Sequence, residues 1–175
     1  MKSYLSSSIL QLKYYKILGE KTITRIPNNK LSFKLNDNSN SINTIVKHLN
    51  GNMLSRWTNF LNSDGEKDFR ERDNEFVDDI NNKEELLNLW GKGWDCLFNT
   101  LESLSETDLE KIVYIRNESH TVIESINRQL CHYSYHIGQI VYLGKIILEE
   151  NWESLSIPKG QSEEFNSKKF SIKKK

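Results

Sequence analysis

Apolar residues recur at helical spacing in four stretches of the chain, and each stretch predicts an amphipathic helix. The first runs from Tyr4 to Leu18, and we expect it to end at Gly19, because glycine commonly terminates helices. The second is predicted from Ser41 to Leu61, the third from Lys83 to Leu104, and the last up to about Glu150.

Capping residues support the starts of the last two helices. Asn82 and Glu85 have the spacing of an N-cap and the third helical residue, and Thr121 with Glu124 forms a T-x-x-E capping box. Just before that box, the stretch EKIVYIRNESHTV alternates briefly around Asn117 and predicts a small β-hairpin.

Three segments lack helical periodicity. Residues 20–41 are polar and rich in asparagine, which indicates a long connection. Residues 62–82 carry many charges and the turn pair Asp64-Gly65, which favours an exposed loop over a binding segment. The segment after Glu150 is polar with a basic end, so we expect it to wrap the domain without regular structure, its last residues disordered.

These elements predict an all-α fold, a four-helix bundle with a crossover connection and a short hairpin before the last helix. The long connection between the first two helices leaves room for that crossover. We expect residues 1–165 to form a single domain and residues 166–175 to be a basic, flexible tail.

Composition restricts the class of protein. The 175 residues are 37% hydrophobic, enough for a core, and 24 basic residues balance 24 acidic ones. This balance argues against a dedicated nucleic-acid binder, and the Lys-rich end is expected to be a solvated terminus. No apolar run approaches the ~20 residues of a membrane span. The start of the chain is typical of an amphipathic helix rather than a signal peptide, and Cys96 and Cys131 form no disulfide framework, so a reducing cytoplasm is expected.

Histidines provide the candidate chemistry. His132 and His136 lie four residues apart, so they share one helix face and could direct a ring nitrogen to one metal ion. His48 has the same relation to the core stripe of the second helix, and packed helices could bring it to face the pair. Three neutral imidazoles would leave further coordination positions open for water or substrate.

Several other residues admit competing interpretations. His120 is expected to be a loop histidine rather than a fourth ligand, and Cys131 a structural residue pointing elsewhere. Arg56, two turns after His48, would either hold a carboxylate bidentately or form a surface salt bridge. The chain contains neither H-E-x-x-H nor E-x-x-H, which disfavours a zinc protease and a ferritin-like di-iron bundle.

Further residues could support the site. Asn52 lies one turn after His48 and is a candidate lining residue of a cavity. Gln139 could orient a ligand histidine by a hydrogen bond, and Gln129 extends the polar band along the last helix. Tyr135 lies off the ligand stripe and is expected to be a packing residue.

The segments IVKHLNGNMLSRWTNFL, TDLEKIVYIRNESHTVIESINRQL, HYSYHIGQIVYLGK and LSIPKGQSEEFN together resemble the DinB/YfiT-like superfamily of metalloenzymes, closest to a bacterial branch without an assigned function. The resemblance covers about residues 3–165. It implies a four-helix bundle with one crossover and a three-histidine metal site at His48, His132 and His136. It also implies a homodimer, and relatives that use bacillithiol, mycothiol or glutathione as the sulfur cofactor.

Two functions remain open from the sequence. The first is a metal-dependent enzyme that acts on a small molecule, either a low-molecular-weight thiol S-transferase or a hydrolase, with zinc as the expected ion and nickel as a plausible contaminant. The second is a non-catalytic bundle that binds a small molecule or partner and uses the metal to tie two helices together. A structural metal normally has four protein ligands, so only three good ligands favour the enzyme.

Overall fold

The computed structural model describes residues 3–171 and contains the four predicted helices. The disorder predicted for the last residues concerns mainly residues 172–175, which lie outside this range. The helices and strands are α1 (Tyr4–Arg25), α2 (Ile42–Trp57), α3 (Lys83–Ser103), β1 (Ile112–Ile115), β2 (Glu118–Thr121), α4 (Val122–Leu148) and α5 (Ser162–Phe170).

The first helix is longer than the sequence pattern indicated, because Gly19 does not end it. A Cβ atom at Gly19 would lie 2.4 Å from Cη2 of Trp90 and 3.0 Å from Cδ1 of Ile137. Glycine is therefore required for close packing against α3 and α4, and α1 continues to Arg25. The predicted end at Leu18 was wrong.

The second helix begins where it was predicted and ends four residues earlier. The Ser41 hydroxyl caps it by accepting the backbone N–H of Thr44. The helix stops at Trp57 because Thr58 is extended, with φ −66° and ψ 124°. Asn59 follows in the left-handed region, with φ 54°. The apolar stripe continues to Phe60, which is buried without being helical.

The caps of α3 and α4 confirm the sequence predictions. The side chain of Asn82 accepts the backbone N–H of Glu85 at 2.9 Å. At the start of α4, the Thr121 hydroxyl accepts the backbone N–H of Glu124, whose carboxylate accepts the backbone N–H of Thr121 at 2.7 Å. These caps fix where α4 begins and hence the position of its histidines.

The predicted hairpin is also present, with β1 and β2 antiparallel and Ile115 paired with Glu118. Its two turn residues, Arg116 and Asn117, have φ values of 54° and 61°, as a tight two-residue hairpin turn requires. The carboxylate of Asp64 accepts both of their backbone N–H groups at 2.8 Å. The connection between α2 and α3 is thereby fastened to the hairpin.

The segments expected to be irregular are more ordered than predicted. Residues 62–82 include a 3-10 helix at Asp73–Phe76 and bury the side chains of Arg70 and Glu75. The interpretation as a merely exposed loop was therefore wrong. After Glu150 the chain forms the exposed helix α5, which contradicts the expected lack of regular structure.

Packing divides the bundle into two pairs, in which α1 packs mainly with α4 and α2 with α3. The connection after α1 carries the chain from the first pair to the second. Large side chains buried between the helices include Trp57, Trp94 and Tyr133. No helix among residues 3–171 has the length and apolar character needed to cross a membrane.

Candidate metal centre

Three histidines from two helices meet at the edge of the core. The Nε2 atom of His132 lies 3.2 Å from Nε2 of His48 on α2 and 3.1 Å from Nε2 of His136 on α4. The possible ligand atoms of all three lie within 4.8 Å of one another. The structure thus brings together the three residues that the sequence singled out, and this group could hold a metal ion.

Glu75 fixes the ring of His48 from behind. Its Oε2 atom lies 2.9 Å from Nδ1 of His48. Arg70 donates to both oxygens of Glu75, at 2.8 Å from Nε and 3.1 Å from Nη2. Burial opposes ionisation of Glu75, but the hydrogen bonds from His48 and Arg70 outweigh it and hold the pKa of Glu75 below its usual range. An ionised carboxylate only accepts, so Nδ1 of His48 carries the proton.

Gln139 has the same role for His136. Its Oε1 atom accepts from Nδ1 of His136 at 2.8 Å, and its Nε2 donates to the hydroxyl of Tyr135 at 3.0 Å. That second bond sets the orientation of the amide and leaves Oε1 facing the histidine. The predicted orienting contact of Gln139 is present.

The two proton positions determine what the centre can hold. A histidine that carries its single proton on Nδ1 presents a lone pair at Nε2, and the Nε2 atoms of His48 and His136 both face Nε2 of His132. A single proton on Nε2 of His132 would satisfy its contact with either His48 or His136. The other contact would then be between two lone pairs. A cation between the nitrogens satisfies all three. Tetrahedral ligands at ~2.0–2.1 Å stand about 3.3 Å apart, close to the two distances observed.

His132 and His136 are neutral imidazoles at neutral pH. Burial, followed by repulsion from His136 and His48, lowers the pKa of His132 to about 3. Burial lowers the pKa of His136 to about 4, although the hydrogen bond to Gln139 raises it part of the way. Neutral imidazole is the form that binds metal ions, so protons compete weakly at this centre.

The histidines form one wall of a cavity of about 400 Å³. Phe76 closes one side and stacks on His48, with the ring centroids 5.4 Å apart. Tyr135 also lines the cavity and is 61% exposed, so its expected role as a packing residue was wrong. The three-histidine centre is thus open to a small molecule.

A polar network continues from the centre into the core. Asn52 lines the cavity, as predicted, and its Oδ1 accepts the hydroxyl of Tyr133 at 3.0 Å. The Tyr133 oxygen in turn accepts Nε1–H of Trp57 at 2.9 Å. Burial raises the pKa of the Tyr133 phenol, so it stays protonated and donates to Asn52.

Arg56 also lines the cavity and is only 4% exposed. Its Nε and Nη1 atoms have no hydrogen-bond partner, and it forms no ion pair with any residue between 3 and 171. Burial is the main cause that lowers the pKa of Arg56. The surface salt bridge considered for Arg56 is therefore wrong.

Other predictions have mixed outcomes. His120 lies on β2 rather than in a loop, and it is outside the three-histidine group, in agreement with its interpretation as a non-ligand. Cys131 is exposed and lies outside the three-histidine group. Glu75, Arg70 and Phe76 were missed because they lie in a charged segment without periodicity. The one signal in this segment was its two aromatic residues, Phe69 and Phe76.

Fold and site together define an all-α bundle with a three-histidine group that could hold a metal ion at an open cavity. The chain belongs to a family described as "Protein of unknown function (DUF1572)", whose model matches residues 1–161. No curated protein and no solved structure matches the chain.

Proposed function

We propose that the protein is a divalent-metal-dependent enzyme that acts on a small molecule. The observation that carries this proposal is the convergence of three Nε2 atoms on the wall of an open cavity. Among residues 3–171, no fourth His, Cys, Asp or Glu joins the ligand group. Glu75, the nearest carboxylate, already accepts hydrogen bonds from His48 and Arg70.

The expected ion is zinc, with nickel as an alternative, because imidazole nitrogens suit both. A divalent ion held by three imidazoles supplies Lewis acidity that lowers the pKa of a coordinated water or thiol. The chain's own contribution is to hold the rings. Glu75 and Gln139 fix the protonation of His48 and His136, and Phe76 shields one side from water.

The reaction class is either transfer of a low-molecular-weight thiol to an electrophilic carbon or hydrolysis. Support for the first comes from the resemblance to the DinB/YfiT-like superfamily, and support for both from the open coordination site. Asn52 and Arg56 line the cavity and would orient the substrate. The homodimer implied by the resemblance stays a prediction, which sedimentation analysis would check.

A structural metal is the competing account, because His48 and the histidine pair belong to different helices and an ion would tie α2 to α4. Against it stands the cavity of about 400 Å³ at the ligands, since structural zinc sites are normally closed by four protein groups.

A turnover assay tests the proposal. Zinc-loaded protein is screened with small thiols and electrophiles and with ester and amide substrates, with and without chelator. We expect that chelation abolishes the activity and that added zinc restores it. His48→Ala should be inactive, whereas the control His120→Ala should be as active as wild type. Activity indifferent to both chelator and His48→Ala would reject the mechanism. Zinc retention without turnover of any substrate would favour the structural account.

A further inference from the structure

The cavity beside the histidines has a strongly positive lining. Five arginines and no carboxylate line it, namely Arg56, Arg70, Arg72, Arg116 and Arg128. Two of them are neutralised, because Arg70 pairs with Glu75 at 2.8 Å and Arg116 with Glu66 at 3.1 Å. The other three form no ion pair within the part of the chain that the structure describes. An excess of positive charge therefore faces the cavity.

Arg56 is the arginine of this set whose burial without a partner is hardest to explain by folding alone. A guanidinium that is 4% exposed normally pairs with a carboxylate, because desolvating an isolated charge is costly. Here Nε and Nη1 are buried without partners, and the side chain lies against Gly65, where a Cβ would stand 2.3 Å from Nη1. Only glycine at position 65 leaves room for Arg56 in this position.

A second buried group in the same cavity also lacks a partner. Gln129 is 2% exposed, lines the cavity, and has no hydrogen-bond donor to its Oε1 among residues 3–171. Buried polar groups without partners are uncommon in folded proteins, and a ligand is one way to satisfy them. Arg56 can donate hydrogen bonds to an anion, and Oε1 of Gln129 can accept one from a donor. The two side chains therefore form a complementary site for a polar small molecule.

We propose that Arg56 binds an anionic group, a carboxylate or a phosphate, of a small molecule that occupies the cavity, with Arg128 and Arg72 adding attraction at its mouth. The guanidinium donates in a fork that matches either anion. That this anion belongs to the substrate rests on the function proposed above, whereas anion binding itself does not. The substrate class is then a small acid or phosphate ester whose reacting end faces the three histidines.

Calorimetric titration of metal-free protein at fixed ionic strength tests the proposal. The probes are inorganic phosphate and succinate, with neutral succinamide as the uncharged control. We expect wild type to bind at least one of the two anions and not to bind succinamide. The anion that binds more tightly shows whether the site favours a phosphate or a carboxylate. Arg56→Met keeps the aliphatic stem and should weaken binding by about tenfold or more, since it removes a charge-assisted bidentate contact. Arg25→Met, outside the cavity, should bind like wild type.

Two further measurements keep the result interpretable. Arg56→Met should unfold at the same denaturant concentration as wild type or a higher one, because it removes an unpaired buried charge; a large loss of stability in both Arg56→Met and Arg56→Lys would assign Arg56 a structural role and overturn the proposal. If Arg56→Met does not fold, Arg56→Lys should bind the anion more weakly than wild type. Anion binding that is equal in wild type and the Arg56 variants, or absent from wild type, would also overturn it.

The metal proposal fails separately. Because the titration uses metal-free protein, the anion binding that it measures does not depend on whether the histidines hold zinc. Anion binding without zinc retention would support the anion site and contradict the metal centre. Zinc retention without anion binding would support the metal centre and contradict the anion site.

Discussion

The carboxylate of Glu75 lies 2.9 Å from Nδ1 of His48, so a residue of the connection before α3 orients a histidine of α2. Arg70 holds that carboxylate through two further hydrogen bonds. A carboxylate behind a ligand histidine fixes its tautomer and raises the basicity of the opposite nitrogen. This contact links a charged, aperiodic segment to the three-histidine group.

Glu75→Gln should weaken zinc binding by about 10–100-fold, because the amide keeps the size but loses the charge that orients His48. It also leaves the buried Arg70 with only its longer contact to Glu66 at 3.4 Å, which should lower the free energy of unfolding on the order of 3 kcal/mol. A competition titration with a chromogenic chelator measures the affinity. Glu71→Gln, an exposed acid of the same segment, is the control, and equal affinity in both variants would contradict this role of Glu75.

Gly19→Ala should destabilise the bundle by about 1–3 kcal/mol, because the added methyl group overlaps the Trp90 ring in a packed core. Gly91→Ala is the matched control: it lies in α3, a Cβ there meets nothing within 4 Å, and alanine should stabilise that helix by roughly 0.5–1 kcal/mol. Urea denaturation of both variants measures the difference. Stabilisation by Gly19→Ala would show that the close approach to Trp90 is absent.

Metal-free protein should lose stability as the pH falls from about 6.5 toward 4. Folding lowers the pKa of His132 to about 3 and of His136 to about 4, below the ~6.5 of the unfolded chain. Between these values the unfolded chain binds more protons, so the free energy of unfolding decreases with decreasing pH. Urea denaturation at about pH 7.5 and about pH 5 measures the decrease while unperturbed carboxylates stay largely ionised.

Histidine variants test the source of that decrease. It should be smaller in the double variant His132→Gln with His136→Gln and unchanged in His120→Ala. An equal decrease in all three proteins would mean that groups outside the centre cause the pH dependence.

The three-histidine group could be predicted from the sequence because helical periodicity fixes which residues share a face. His132 and His136 are four residues apart, and His48 has an equivalent place beside the stripe of another helix, so packing two helices sufficed to bring them together. The capping pairs predicted the starts of α3 and α4 for a similar reason: their hydrogen bonds are local.

Residues that depend on long-range packing could not be predicted in this way. Gly19 resembles a helix terminator by itself, and only the Trp90 ring against it shows why α1 continues. Glu75 lies 27 positions from His48 in a segment whose composition is typical of solvent-exposed loops. Its burial follows from the contact of Asp64 with the hairpin and from pairing with Arg70, neither of which has a sequence signal.

Metal content is the most direct test of the centre. Untagged protein is loaded with zinc, dialysed extensively and analysed by elemental mass spectrometry. It should retain about one zinc ion per chain. His136→Ala should retain far less, while His120→Ala, a histidine outside the group, should retain as much as wild type. Failure of wild type to retain zinc, or equal retention by wild type and His136→Ala, would contradict the assignment of His48, His132 and His136 as the metal ligands.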